Sequence, residues 1–490
     1  MVGNTELSAV DPPPTAMTTL PEELWLKVFS ALQSDIQWEC QKWYRTEQTY
    51  HSRLALSALC RVSSKFHRIA QPLLYRTIIA EPITTKPLLI RTLCERPELG
   101  HLTRFVALDA FDDTHTGLDD VRSGMHVAFS TFQGDLGLPS LIRARVLEEL
   151  EMGRADAQMV LALALLPNIR GLNLTVPSHH SLLNSLFEIS AANLDAETAK
   201  NPGEQGTGSK QTTKMCFPNL SDVRLSHWDT ENAVIAWDTR SIWGYPTVKS
   251  IHGFATDWCD LPPAGMESTV FRIESIDLKQ SLITGEDLSL LLSSCPDLRS
   301  LKISWGSAII GDCELDFDAI GEALRRDRGF PSKLEVLAID PFEAFEYAEG
   351  ESKGRIGSLR ELGALKQLTV PNHIFVPGLL NGDDEDDDEE DSEESEDSEG
   401  GSSDSAATDL ALLLPSSLEI LRFTGISDAA YMERNIIALI TDGEFRSLRR
   451  IAVNDLAPYF FHVDVEQHGW HQVNKHRVVL KKGNVARRIA

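Results

Sequence analysis

The sequence predicts an α/β chain in which a short helical module precedes an array of helix–strand repeats. Three observations predict it. An apolar pattern of helical spacing spans residues 20–32. A six-residue pattern, L-x-x-L-x-L with apolar swaps, recurs eight times between Ile169 and Val453. Stretches of helical periodicity precede several copies, and Pro closes some of them.

The first helix is read from Leu20, Leu24, Val28 and Leu32, which form a wide apolar stripe with Pro21, Trp25 and Phe29. Thr19 and Glu22 have capping-box spacing, with Pro21 in the first turn. A second amphipathic stretch carries Leu56, Leu59, Val62, Phe66 and Ile69, and Pro72 is expected to end it. The segment Asp35–Arg53 between them is polar but holds Trp38, Trp43, Tyr44 and Tyr50. Two short helices expose more apolar surface than they can bury against each other. They would be either a cap on the array or a docking module.

The clear copies of the pattern begin at Ile169, Leu220, Ile273, Leu298, Leu334, Leu365, Leu418 and Leu448, with weaker ones at Val248 and near Leu102. Positions four and six are apolar in each clear copy, for example Leu301 and Ile303. Two residues apart, they share one face of a strand. Helical patterns precede four copies, at 157–166, 286–293, 317–325 and 435–440. Pro follows the helix in Leu166-Pro167-Asn168-Ile169 and in Cys295-Pro296-Asp297-Leu298. A helix and a short strand recurring every 25–36 residues is the leucine-rich-repeat plan, with strands on a concave side and helices on a convex side. An ordinary α/β domain is the alternative. Two spacings are longer, 51 and 53 residues. They contain 191–214, rich in Gly, Thr, Asn and Lys, and the acid–serine run 383–405, both expected to be disordered loops.

The chain of 490 residues has a net charge of −27, and fifteen carboxylates with no Lys or Arg lie between Asp383 and Asp404. Without that run the charge is −27 + 15 = −12, so nucleic acid is not an expected partner. The seven cysteines contain no C-x-x-C pair, which suggests reduced thiols inside a cell. Met1–Met17 lacks the basic and apolar regions of a signal peptide and is expected to be disordered. The longest apolar run, Met159–Leu166, is eight residues, too short for a membrane span. The expectation is a soluble intracellular protein, in cytoplasm or nucleus.

Catalytic motifs are missing. No zinc-type Cys/His pairs, H-E-x-x-H, G-x-S-x-G or phosphate-binding Gly loop occurs. Cys295, before a repeat strand, reads as a small buried residue. The chain is expected to be no enzyme and to need no cofactor or metal.

Leu20-Pro21-Glu22-Glu23-Leu24, Val28-Phe29, Leu32, Leu56, Leu59, Val62-Ser63-Ser64-Lys65-Phe66, Ile69-Ala70 and Pro72-Leu73-Leu74-Tyr75 together resemble an F-box. The version is that of fungal F-box/leucine-rich-repeat proteins. Ser63 and Phe66 stand where that family often has Cys and Trp, and the segment between the helices is longer. The resemblance implies docking on a Skp-type adaptor and through it on a cullin scaffold. The chain would then be a non-catalytic substrate receptor of an SCF-type ubiquitin ligase. The alternative is a non-degradative scaffold that holds the adaptor without ubiquitylation. The adaptor-facing residues implied are Leu20, Pro21, Leu24, Val28, Leu32, Leu59, Val62 and Phe66. The layout would be a disordered 1–17, an F-box at 18–80, a linker with degenerate repeats at 81–165, the repeat solenoid at 166–461, and a cap or tail at 462–490.

A target protein would lie on the strand positions that alternate with the core. Those include Asp222, Arg224, Asp277, Lys279, Lys302, Asp340, Arg422 and Arg450, five basic and three acidic. The candidates for target binding are Arg224, Lys279, Lys302, Arg422 and Arg450, with Trp228 and Trp305 in the loops after their strands. Mixed charge is ordinary for exposed strands, and an acidic or phosphorylated segment is the sharper reading. The acidic run reads as a solvated loop, or as a shield over the basic positions.

Overall fold

The computed structural model describes residues 20–32, 47–80, 85–109, 138–198, 217–227, 233–259, 270–306, 315–325, 333–341, 354–375, 409–424, 429–453, 465–472 and 478–482. The expected disordered N-terminus, Thr19, Trp38, Trp43, Tyr44, Trp228 and the acidic run lie outside these residues.

Three helices open the fold: α1 (Glu22–Ser30), α2 (Glu47–Val62) and α3 (Ser64–Arg76). The second amphipathic stretch is thus two helices. The break falls at Ser63, whose hydroxyl accepts from the Phe66 amide at 3.2 Å and caps α3. Pro72 does not end α3, which runs on to Arg76. Burial of Ile69, Ala70 and Leu73 on either side of Pro72 holds the helix through it. The capping box rests on Thr19, which lies outside the described residues. Pro21 is the N-cap with no side-chain bond, and the Glu22 carboxylate turns to Arg68 at 2.5 Å and 3.1 Å.

The strands are β1 (Thr77–Ala80), β2 (Phe105–Leu108), β3 (Gly171–Thr175), β4 (Asp222–Ser226), β5 (Val234–Ile235), β6 (Ser250–Phe254), β7 (Thr256–Asp257), β8 (Ser275–Lys279), β9 (Ser300–Ser304), β10 (Val336–Asp340), β11 (Gln367–Val370), β12 (Ile420–Phe423), β13 (Arg450–Val453), β14 (Trp470–Gln472) and β15 (Val478–Lys482). All but β5 and β7 join one 13-stranded sheet, whose order follows the chain up to β13. Each strand from β1 to β13 in that sheet pairs parallel with the next. The chain is therefore mixed α/β with a large, mostly parallel sheet, a path compatible with a solenoid. All ten copies of the pattern, weak ones included, form strands of it.

Positions four and six of the eight clear copies are no more than 2 % exposed. They merge with helix residues such as Leu288, Leu291 and Leu292 of α10 (Gly285–Ser294) into one continuous core. The copy at Val248 is weak because Gly253 fills its sixth position. A Cβ there would meet Thr256 Oγ1 at 2.6 Å and Leu278 Cδ2 at 2.9 Å.

The sheet extends beyond the pattern at both ends. At the front it begins with β1, within the stretch read as the helical module, because Ile78 and Ala80 alternate into the core beside Ile90, Leu93 and Val106. At the back, β15 pairs antiparallel with β13, and β14 with β15. Residues 191–198 of the expected insert are instead the end of a helix, since α8 runs Ser181–Thr198 and Leu194 is buried, and 199–214 lie outside the described residues.

Two neighbouring helices are locked by one carboxylate. Asp156, in the first turn of α7 (Ala155–Ala164), accepts from the Leu182 and Leu183 amides of α8 at 2.8 Å and 2.9 Å. Burial pushes this carboxyl up from 3.8 to about 7, against the pull of the two amides. A folded-state pKa above the unfolded one means that the native state keeps a proton the unfolded chain has lost. This group's contribution to stability therefore falls as pH rises from about 4 to about 7 and is flat above. Asp156→Ala should lower stability at pH 5 by about 1 kcal/mol and flatten the pH dependence of the melting temperature over that range. An unchanged profile would refute this account.

Candidate functional site: two surfaces

The first surface is the outer side of the helical module. Inside it, Trp25, Phe29, Leu56, Ile69, Ala70 and Leu73 form a core separate from that of the sheet. The Trp25 and Phe66 rings lie 4.8 Å apart, and Phe29 meets Phe66 edge-on at 5.2 Å. The Glu22–Arg68 pair and the bond from Lys65 Nζ to the Leu20 carbonyl, 3.0 Å, tie α1 to α3. Arg68 holds the Glu22 carboxyl below its ordinary range.

That core divides the residues expected to face an adaptor. Phe66, Leu59 and Leu32 pack against it and are partly buried. Leu20, Leu24 and Val28 stay outside, 39 %, 44 % and 53 % exposed, and so does Val62 at 63 %. Pro21 is exposed as well. Residues 20, 24 and 28 recur every four positions and form one stripe beside the buried Trp25 and Phe29. The helix thus has two apolar faces, of which only one is used internally.

The second surface is the face of the sheet opposite the core. The strand register sets its side chains in rows across the sheet. One row runs Asn173, Arg224, His252, Asp277, Lys302, Ala338, Thr369, Arg422 and Ala452. The expected binding residues fare differently along it. Lys302 and Arg422 are exposed, Lys279 and Arg450 are half-buried, and Arg224 is buried. Asp277 faces His252 at 3.8 Å. Burial raises its pKa, but His252, Lys279 and Lys302 outweigh that and hold the carboxyl below its ordinary range. This stretch of the row is internally neutralised.

Trp305 does not face a ligand. It is fully buried, and its indole N–H donates to the Ile283 carbonyl at 3.0 Å. Its place after a strand gave no means of telling a rim residue from a core one. Cys295 is buried too, and its thiol is pushed up to about 12 by that burial.

A feature not read from the sequence runs along the strand entries. The second position of the copies from Val248 onward reads Lys249, Glu274, Arg299, Glu335, Lys366, Glu419 and Arg449, with signs that alternate. Ion pairs join Lys249–Glu274 at 2.7 Å, Arg299–Glu335 at 2.9 Å, Glu335–Lys366 at 2.6 Å and Glu419–Arg449 at 2.8 Å. The signal was the alternation at one fixed repeat position, visible only once the copies are aligned. Exposed pairs of this kind contribute little singly. They do neutralise this edge of the sheet.

Among the described residues, no group of three or more His, Cys, Asp or Glu could hold a metal, and no helix is long and apolar enough to cross a membrane. Trp305→Ala should cost about 3–5 kcal/mol of stability, read by chemical denaturation, where a surface tryptophan would cost almost none. No protein-family model matches the chain, and no curated protein matches it as a relative.

Proposed function

We propose that the protein is a non-catalytic adaptor that docks through its N-terminal helices on a Skp-type partner and holds a target protein against its sheet. One observation carries the docking half. Leu20, Leu24 and Val28 form an exposed apolar stripe on a helix whose opposite apolar residues, Trp25 and Phe29, already complete a core. A surface helix that only capped the sheet would turn polar residues outward. The stripe lies where the F-box resemblance expects contact with the adaptor, and Val62 and Pro21 fall in the same set. Phe66, Leu59 and Leu32 serve that contact from behind, by holding α1 on α3.

The target half rests on the sheet. Eleven parallel strands in chain order give a long face whose side chains alternate with the core. The chemistry of ubiquitin transfer would come from the partners, and the chain would act by holding the target near them. Recovery of a cullin with the adaptor supports a ligase subunit. Adaptor alone supports the non-degradative scaffold.

Leu24→Asp with Val28→Asp should weaken capture of a Skp-type adaptor by the full chain about a hundredfold, since the two side chains bury apolar area worth about 3 kcal/mol. Both positions are exposed, so the melting temperature should not change. Undiminished capture by this folded variant would refute the docking reading.

A further inference from the structure

We propose that the last strands of the sheet form a binding site for an acidic peptide segment of the target, read by Arg422, Arg450, Lys481 and His471. This deepens the reading of the sheet as the target-holding face and rests on it.

The register builds the site. Arg450 lies directly opposite Lys481, and Lys481 opposite His471. Arg422 lies one strand away, beside Ala452 and diagonal to Arg450. Ile451 and Leu480, on the alternate positions, are buried in the core, so the four polar side chains share the other face. Directly opposed residues sit about 5 Å apart and diagonal ones about 7–8 Å, so the cations fall within reach of one extended segment.

Like charges directly opposite each other destabilise a sheet. From β6 to β13 the strand entries avoid that arrangement by alternating Lys or Arg with Glu, and the row through Asp277 balances its own cations. At the entries of β1 to β3, Arg76, Arg104 and Arg170 do follow one another. From β11 to β14 the residues of this face are Gln367, Thr369, Ile420, Arg422, Arg450, Ala452, Val479, Lys481 and His471, with no carboxylate among them. Among the described residues none of Arg422, Arg450 and Lys481 has an ion-pair partner. Arg450 Nε is buried, with no acceptor among the described residues. The exposed Arg422 guanidinium and Lys481 ammonium can pair with a carboxylate or phosphate that arrives from outside.

The choice of a peptide follows from charge and shape. A chain of net −27 repels extended polyanions such as nucleic acid and anionic membranes at long range. A short acidic segment is repelled much less and can lie along a strand-wide strip. Its alternate side chains recur at about 6.6 Å, close to the diagonal spacing of the cations.

The test is fluorescence anisotropy on the full-length chain at low salt. The probe is a labelled twelve-residue peptide that alternates glutamate and serine, set against a twelve-residue RNA and phosphatidylserine vesicles. The peptide should bind saturably, and added salt should weaken it. Arg422→Gln with Lys481→Gln, both exposed, should weaken it about tenfold or more, and Arg450→Gln should add to the loss. Lys249→Gln, from the paired edge, should leave it unchanged. Capture of the Skp-type adaptor should survive all of these substitutions, so failure of this site and failure of the docking reading are separate results. No saturable peptide binding, equal loss with Lys249→Gln, or tighter binding of the RNA or the vesicles would overturn the proposal.

Discussion

Each parallel strand depends on its neighbours for both its backbone hydrogen bonds and its apolar burial. A strand of four or five residues with one apolar face cannot bury that face alone. Here every strand of the main sheet from β2 to β13 hands its amides and carbonyls to the strands on either side, and its buried residues join those of the helices in one core. The entry turns repeat the same constraint. The amide of the first apolar residue bonds back three residues, as in Leu220 to Phe217, Val248 to Tyr245, Leu298 to Cys295 and Leu448 to Phe445. Those turn residues are all buried. Each copy is thus pinned at its entry and along its length, which is why weak copies still form strands.

The same lateral spacing sorts the charges. Residues at one position of successive copies stand about 4.8 Å apart, so their signs cannot be chosen independently. At the strand entries from β6 to β13 the signs alternate and pair. Around Asp277 a carboxylate is drawn below its ordinary range by His252, Lys279 and Lys302. On the last strands cations meet cations. The contrast between a neutralised edge and an unmatched strip is a property of the register, not of the net charge of −27, much of which lies in one acidic run.

The helical module obeys a different economy. It is too small to bury all its apolar residues, and its core of Trp25, Phe29, Leu56, Ile69, Ala70 and Leu73 leaves Leu20, Leu24, Val28 and Val62 outside. Its inner aromatic contacts and the Glu22–Arg68 pair fix α1 on α3. The outer stripe is therefore presented on a rigid support. That division separates the apolar residues that pack the helices together from those left on the surface.

The sequence by itself determined the repeat. Alternation of apolar residues at positions four and six is a local pattern, so it was legible for eight copies and faintly for two more. It also determined that the N-terminal segment has more apolar residues than two helices can hide. Only the tertiary structure decided which of them are hidden, because Phe66 and Val62 are equally apolar and differ in what lies against them. It likewise placed Trp305 in the core and Arg224 out of reach of solvent, and added β1, β14 and β15 to the sheet. Those outcomes depend on contacts between residues far apart in the chain. No periodicity within a single segment encodes such contacts.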